Sequence, residues 1–228
     1  MKTAERILYT ALSLFNEHGE NSVTSVDIAL ELDISPGNLY YHYKGKEVMV
    51  EKLIALHKSQ MLQVLRRDLL DKVEGAEAFY YLYLIIEKMH VFRFFYRSPG
   101  DLAEKYPHSH KIRNNVIDAL ESQLHRLLQQ MTVRNELLAS KSELPLLTEL
   151  LSLILTQSFQ YDQLSRPLDE DAQRYHCLSL VLISLLPRLR LPEEELWSLQ
   201  KGIDSHSLAN LRRPHLQSAQ SEPPSESD

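Results

Sequence analysis

The chain has 228 residues, 43% hydrophobic and 25% charged, with a net charge of −6 and one cysteine, Cys177. That length suits one small plus one medium soluble domain with a sizeable core. The lone thiol excludes an internal disulfide framework and fits a reducing cytoplasm, and the acidic balance weighs mildly against nucleic-acid binding.

Only six glycines are present and long stretches lack both Gly and Pro, which favours helices over a turn-rich β fold. The interspersed charges of MKTAERILYTALSLF do not read as a signal peptide. Residues 4–15 place Ile7, Leu8, Ala11, Leu14 and Phe15 on one helical stripe ending near His18-Gly19. Thr24 or Ser25 is placed to cap a second short helix through Ile28, Ala29 and Leu32, with a turn at Asp33-Ile34. Ser35 then caps a third helix with Pro36 at its first position, where the missing N–H costs nothing.

Gly45 breaks the chain, and a long helix is expected from Lys46 to about residue 70. The segment 76–97 is apolar round most of its circumference and reads as a buried helix. A short helix over 101–106 stopping at Pro107, a helix over 110–130 and two apolar helices over 146–160 and 169–186 follow. Residues 193–201 suit a last helix. From about residue 203 the chain turns polar, and 203–228 is expected to be a disordered tail. The apolar runs 144–159 and 177–186 fall short of the roughly 20 residues that span a bilayer. The expectation is an all-α fold: a helix-turn-helix domain over 1–47, with the linker helix starting at 46, and a helical-bundle domain over 48–202.

Residues 24–47, TSVDIALELDISPGNLYYHYKGKE, have the skeleton of a helix-turn-helix. Ala29 permits close helix approach, and Ile28, Ile34 and Leu39 fill the seam. Leu39 and Tyr43 share one face, while Tyr40 and Tyr41 lie on another. The outward set is Ser35, Pro36, Gly37, Asn38, Tyr40, Tyr41 and His42; small leading residues admit the helix to a major groove. Residues 1–50 carry four Lys/Arg against seven Asp/Glu, but 34–46 contain Lys44 and Lys46 and no acid.

Ile28-Ala29 followed by Gly37-Asn38-Leu39-Tyr40-Tyr41-His42-Tyr43-Lys44-Gly45-Lys46-Glu47 resembles the TetR family of bacterial regulators, with Leu14-Phe15, Gly19 and Thr24 also in place. The likeness covers about the first 55 residues. It departs from the family pattern at Tyr43, where Phe is usual, and at Asp33, where a small residue is commoner. The resemblance implies a cytoplasmic homodimeric repressor, bound to double-stranded operator DNA and released by a small, hydrophobic effector. It casts Tyr40, His42 and Lys46 as phosphate clamps, and Thr24, Ser25, Ser35, Pro36, Asn38 and Tyr41 as the surface near bases and backbone.

The resemblance also implies an effector cavity and pairing through the last two long helices. Candidate effector residues are Phe79, Tyr83, Ile86, His90, Phe95, Tyr96, Ile112, Val116 and Leu120, with Arg93 and Arg97 open to a carboxylate ligand. The apolar runs with Leu147, Leu151, Ile154 and Leu155, and with Leu178, Val181, Leu182 and Leu185, suit a four-helix dimer seam; burial in the monomer core is the alternative.

The His108/His110 pair lacks the further ligands of a metal site. Cys177 on an apolar helix reads as inert core. No phosphate loop, nucleophile elbow or H-E-x-x-H is present, so the chain is expected to be no enzyme and to carry no cofactor or metal. The competing functions are a helical ligand-binding protein and a DNA-binding protein without an effector.

Overall fold

A computed structural model describes residues 2–165 and 168–203. The tail expected at 203–228 lies, beyond Ile203, outside the described residues. Described residues form helices joined by short turns, with one isolated bridge between Leu137 and Leu189.

Three helices build the N-terminal head: α1 (Thr3–His18), α2 (Ser25–Glu31) and α3 (Pro36–His42). Gly19, at φ 85°, ends α1 in a backbone conformation that favours glycine. Thr24 caps α2 reciprocally: its Oγ1 accepts from Asp27 N (3.2 Å), and its own N–H donates to Asp27 Oδ2 (2.7 Å). Asp33 makes the turn at φ 54°, a region Asp tolerates better than most side chains. Ser35 Oγ accepts from Asn38 N at 3.2 Å, and Pro36 opens α3. Ile7, Phe15, Ile28, Ala29 and Leu39 are fully buried in the seam.

Gly45, at φ 148°, releases the chain into the lever helix α4 (Lys46–Val64). The lever stops six residues short of expectation, followed by α5 (Arg67–Leu70). Side chains take carbonyls at and just beyond its end: Tyr81 Oη donates to Val64 O (3.2 Å), and Gln123 Nε2 to Arg66 O (2.8 Å) in the link to α5. The expected helix over 76–97 is likewise two, α6 (Glu77–Val91) and α7 (Phe94–Arg97). Here the amide of Phe94 donates to Asn16 Oδ1 at 3.0 Å, diverted from the helical ladder.

Beyond these, α8 (Pro99–Lys105), α9 (Pro107–Val133), α10 (Glu143–Ser165), α11 (Glu170–Leu185) and α12 (Glu193–Ile203) complete the body. The short helix α8 stops just before Pro107, as expected, and Pro99 and Pro107 each open a helix, since a first-turn proline forfeits no hydrogen bond. The α4, α6, α9, α10 and α11 helices pack around one core containing Phe92, Phe95, Tyr96 and Phe159. No helix among the described residues is long and apolar enough to cross a membrane.

Candidate nucleic-acid interface and regulatory sites

Helix α3 lays one face into the head and turns the other to solvent. Leu39 and Tyr43 are 1% and 4% exposed, while Tyr40 and Tyr41 are 56% and 77% exposed. Tyr43 is pinned inside by donating its hydroxyl to Ala4 O at 3.0 Å. Burial, then Glu5, raises its pKa. Ser35, Pro36, Gly37 and Asn38 are exposed beside Tyr40 and Tyr41, and His42 is half-buried against the Tyr41 ring. Lys44 Nζ lies 4.8 Å from the Tyr40 ring centroid. Thr24 is exposed and Ser25 half-buried at the start of α2. One continuous surface of hydroxyls, an amide and a cation results.

Lys46 stands apart from that surface. Its Nζ donates to Glu20 O and Val23 O, both at 2.9 Å, and pairs with Glu20 Oε1 at 2.9 Å. The expected phosphate clamp is thus used up inside the protein, because an ammonium group has three donors and all three are taken. The cation of this surface is Lys44, which the reading of roles passed over.

The expected effector residues do not gather round one hollow. Phe79 and Tyr83 do line one, of about 290 Å³, but its other walls are Tyr80 of α6, Tyr175, Leu178, Ser179 and Leu182 of α11, and Ser198 and Leu199 of α12. Tyr83 stacks on Tyr175 with ring centroids 5.5 Å apart. Burial, then Glu87, pushes its hydroxyl up to about 12. Ile86, His90, Phe95, Tyr96, Val116 and Leu120 instead fill the core, with Ile112 packed against it. Their polar tips are already partnered. His90 meets Gln173 Oε1 and Arg174, each at 3.3 Å, and Tyr96 Oη meets His57 Nε2 at 2.7 Å. Arg93 is paired with Glu170 at 2.5 Å, which already supplies its carboxylate, and Arg97 donates to Asn16 O.

The expected dimer residues also need correction. Leu147, Leu151, Leu155, Val181, Leu182 and Leu185 are buried within the monomer, and Ile154 and Leu178 pack against its core. On α10 an outer apolar row, offset by one position, reaches solvent: Leu146, Leu150 and Leu153, at 65%, 39% and 59% exposure, with Tyr161 and Leu164 exposed further along. The first three line a groove of about 500 Å³ with Ile117 of α9, and Ile183 of α11 is 52% exposed. Helix α10 is apolar on two sides, so composition alone could not tell the inner row from the outer.

Cys177 is fully buried, and burial pushes its thiol up to about 12. Among the described residues no group of three His, Cys, Asp or Glu is placed to hold a metal.

Comparison with known proteins fits this arrangement. The family model described as "Bacterial regulatory proteins, tetR family" matches residues 7–53, and the one described as "Bacterial transcriptional repressor" matches 57–196. The HTH-type transcriptional regulator QacR of Staphylococcus aureus is 27% identical over 129 residues, 52% of this chain and 67% of that protein. IcaR of Staphylococcus epidermidis, a negative transcriptional regulator of a biofilm operon, is 26% identical over 138 residues, 59% of this chain and 66% of its own length. The aligned stretches thus span about two thirds of each relative. A TetR-family regulator from Marinobacter aquaeolei superposes with a TM-score of 0.76, at 22% identity, over 89% of this chain and 99% of that one.

Proposed function

The chain belongs to the TetR family of bacterial transcriptional regulators, and on that premise we propose that it is a cytoplasmic homodimeric repressor released from its operator by a small, largely apolar molecule. Members of the family are DNA-binding regulators, not enzymes. The observation that carries the reading is the outward face of α3, where Tyr40 and Tyr41 stand in solvent while Leu39 and Tyr43 anchor the helix. Groups that neither pack nor cap are available to a duplex, and a helix of this size fits a major groove.

Pairing through the outer row of α10, Leu146, Leu150 and Leu153, together with Ile183, brings two heads to one duplex. Symmetric pairing buries the same patch on both copies, and an exposed leucine row set among Glu121, Glu149, Ser152 and Thr156 is the kind of surface that marks an interface. The effector enters the hollow walled by Phe79, Tyr83, Tyr175 and Leu178. No formal charge lines it, which suits an uncharged or weakly polar ligand anchored by tyrosine or serine hydroxyls. Effector and DNA then oppose each other by linkage, with a coupling typically of about 1–3 kcal/mol. A gel-shift titration on the DNA upstream of the chain's own gene tests the reading. A shifted complex at low salt supports it, and a protein that leaves all such DNA unshifted refutes it.

A further inference from the structure

The head and body meet at a joint that the functional reading does not use. Just after α1, Glu20 is 7% exposed, a burial that an unpaired carboxylate does not tolerate. Three partners come to it, one from the lever and two from the end of α8. Lys46 Nζ, at the start of the lever, lies 2.9 Å from Oε1. Lys105 Nζ, at the end of α8, lies 3.2 Å from both oxygens. Tyr106, between α8 and α9, donates its hydroxyl to Oε1 at 2.6 Å. Neighbouring bonds reinforce the crossing: Lys105 donates to Asn21 Oδ1 at 3.1 Å, and Asn21 Nδ2 to Asp101 Oδ2 at 3.3 Å.

Beside this polar cluster lies a second contact of different character. Phe15 packs on Phe94 with centroids 5.7 Å apart, and Asn16 Nδ2 donates to Val91 O at 2.9 Å while its Oδ1 accepts from Phe94 N. This contact ties α1 to the turn between α6 and α7 through one ring pair and both ends of the Asn16 amide. Glu20 works differently, since one carboxylate must satisfy cations carried by two elements, α4 and α8. Sliding α8 along the lever separates Lys105 from Lys46, and Glu20 then loses one or the other. Burial alone would raise the carboxyl's pKa, but the bonds from Tyr106, Lys46 and Lys105 outweigh it and hold it below the usual range, so Glu20 stays charged.

We propose that Glu20 is a positioning residue that fixes the angle of the reading head to the body by bridging Lys46 of the lever and Lys105 of α8, and so sets the separation of the two heads in the dimer. Its consequence for DNA rests on the regulator reading above; the joint itself does not. The direct test measures head-to-body distance without DNA. Spin labels are placed at Glu31→Cys in the head and Lys141→Cys in the body, both exposed, while the native Cys177 is buried. Excess unlabelled protein confines the signal to pairs within one subunit. Glu20→Gln and Lys105→Ala each broaden the distance distribution about twofold, and Lys105→Arg keeps it narrow. Because Lys105 is half-exposed, its variants fold even if Glu20→Gln does not.

On duplexes whose half-site spacing is stepped by single base pairs, Lys105→Ala flattens the preference for the best spacing about threefold and leaves single half-site affinity unchanged. An unchanged distance distribution in both variants overturns the joint. A protein that binds no duplex, yet whose distances broaden, keeps the joint and loses the regulator reading.

Discussion

Leu150 and Leu151 are neighbours on α10 with different surroundings: Leu151 is fully buried in the monomer core, and Leu150 stands 39% exposed above the groove shared with α9. One helix thus presents an inner and an outer row of leucines, and substitutions separate them. Leu151→Ala removes packed methyl groups and lowers monomer stability by about 2–5 kcal/mol, read by urea denaturation. Leu150→Asp combined with Leu153→Asp leaves the core intact but halves the mass seen by light scattering. A double variant that stays dimeric moves the pairing surface elsewhere.

Tyr41 contributes nothing to the core, so its loss should leave the fold alone. Tyr41→Ala is expected to keep the melting temperature within a degree or two (about 0.5 kcal/mol for an exposed site) while weakening operator binding by about 1–3 kcal/mol. Fluorescence anisotropy on a labelled duplex, beside a thermal melt, checks both halves.

Lys46→Ala gives the opposite pattern. Removing the ammonium takes a donor from the carbonyls of Glu20 and Val23 and one of the two cations from the Glu20 carboxylate, and destabilises the protein by about 1–3 kcal/mol. The slope of log affinity against log salt stays as in the parent, because no phosphate contact is lost. A slope smaller by about 1 places Lys46 on the DNA backbone instead.

Acid acts through His57. It is fully buried, its Nε2 meets Tyr96 Oη at 2.7 Å, and burial pushes its pKa down to about 3 from 6.5. The folded state therefore resists a proton that the unfolded chain accepts. Stability is full above pH 6.5 and is lost progressively as pH falls towards 3. At pH 5 the loss is about 2 kcal/mol. His57→Phe forfeits the Tyr96 hydrogen bond at every pH but removes this increment. The gap in unfolding free energy between variant and parent therefore shifts in the variant's favour from pH 7.5 to pH 5; a constant gap contradicts the assignment.

The head was legible in the sequence because its signals are local. Capping by Thr24 and Ser35, Pro36 at the start of α3 and the opposed faces of Tyr41 and Tyr43 all follow from spacing within a few residues. The lever's early stop was not legible, since the carbonyls at and just beyond its end, Val64 O and Arg66 O, are taken by Tyr81 and Gln123 from distant helices. Nor was the division at Phe92-Arg93, which depends on Asn16, 78 residues before Phe94. The inner and outer rows of α10 are both leucine-rich, so only packing separates them. Lys46 fits a family motif, but its role depends on a glutamate 26 positions earlier that no periodicity connects to it.

The most direct test of the account is equilibrium binding of the purified dimer to a duplex from its own upstream DNA, followed by footprinting, at about 50 mM salt where phosphate contacts are least screened. The account predicts saturable binding of one dimer to an inverted repeat, with two protected major-groove patches about one helical turn apart or somewhat more, and a marked loss with Tyr41→Ala. Equal affinity of parent and Tyr41→Ala for every duplex, or no binding at all, contradicts it.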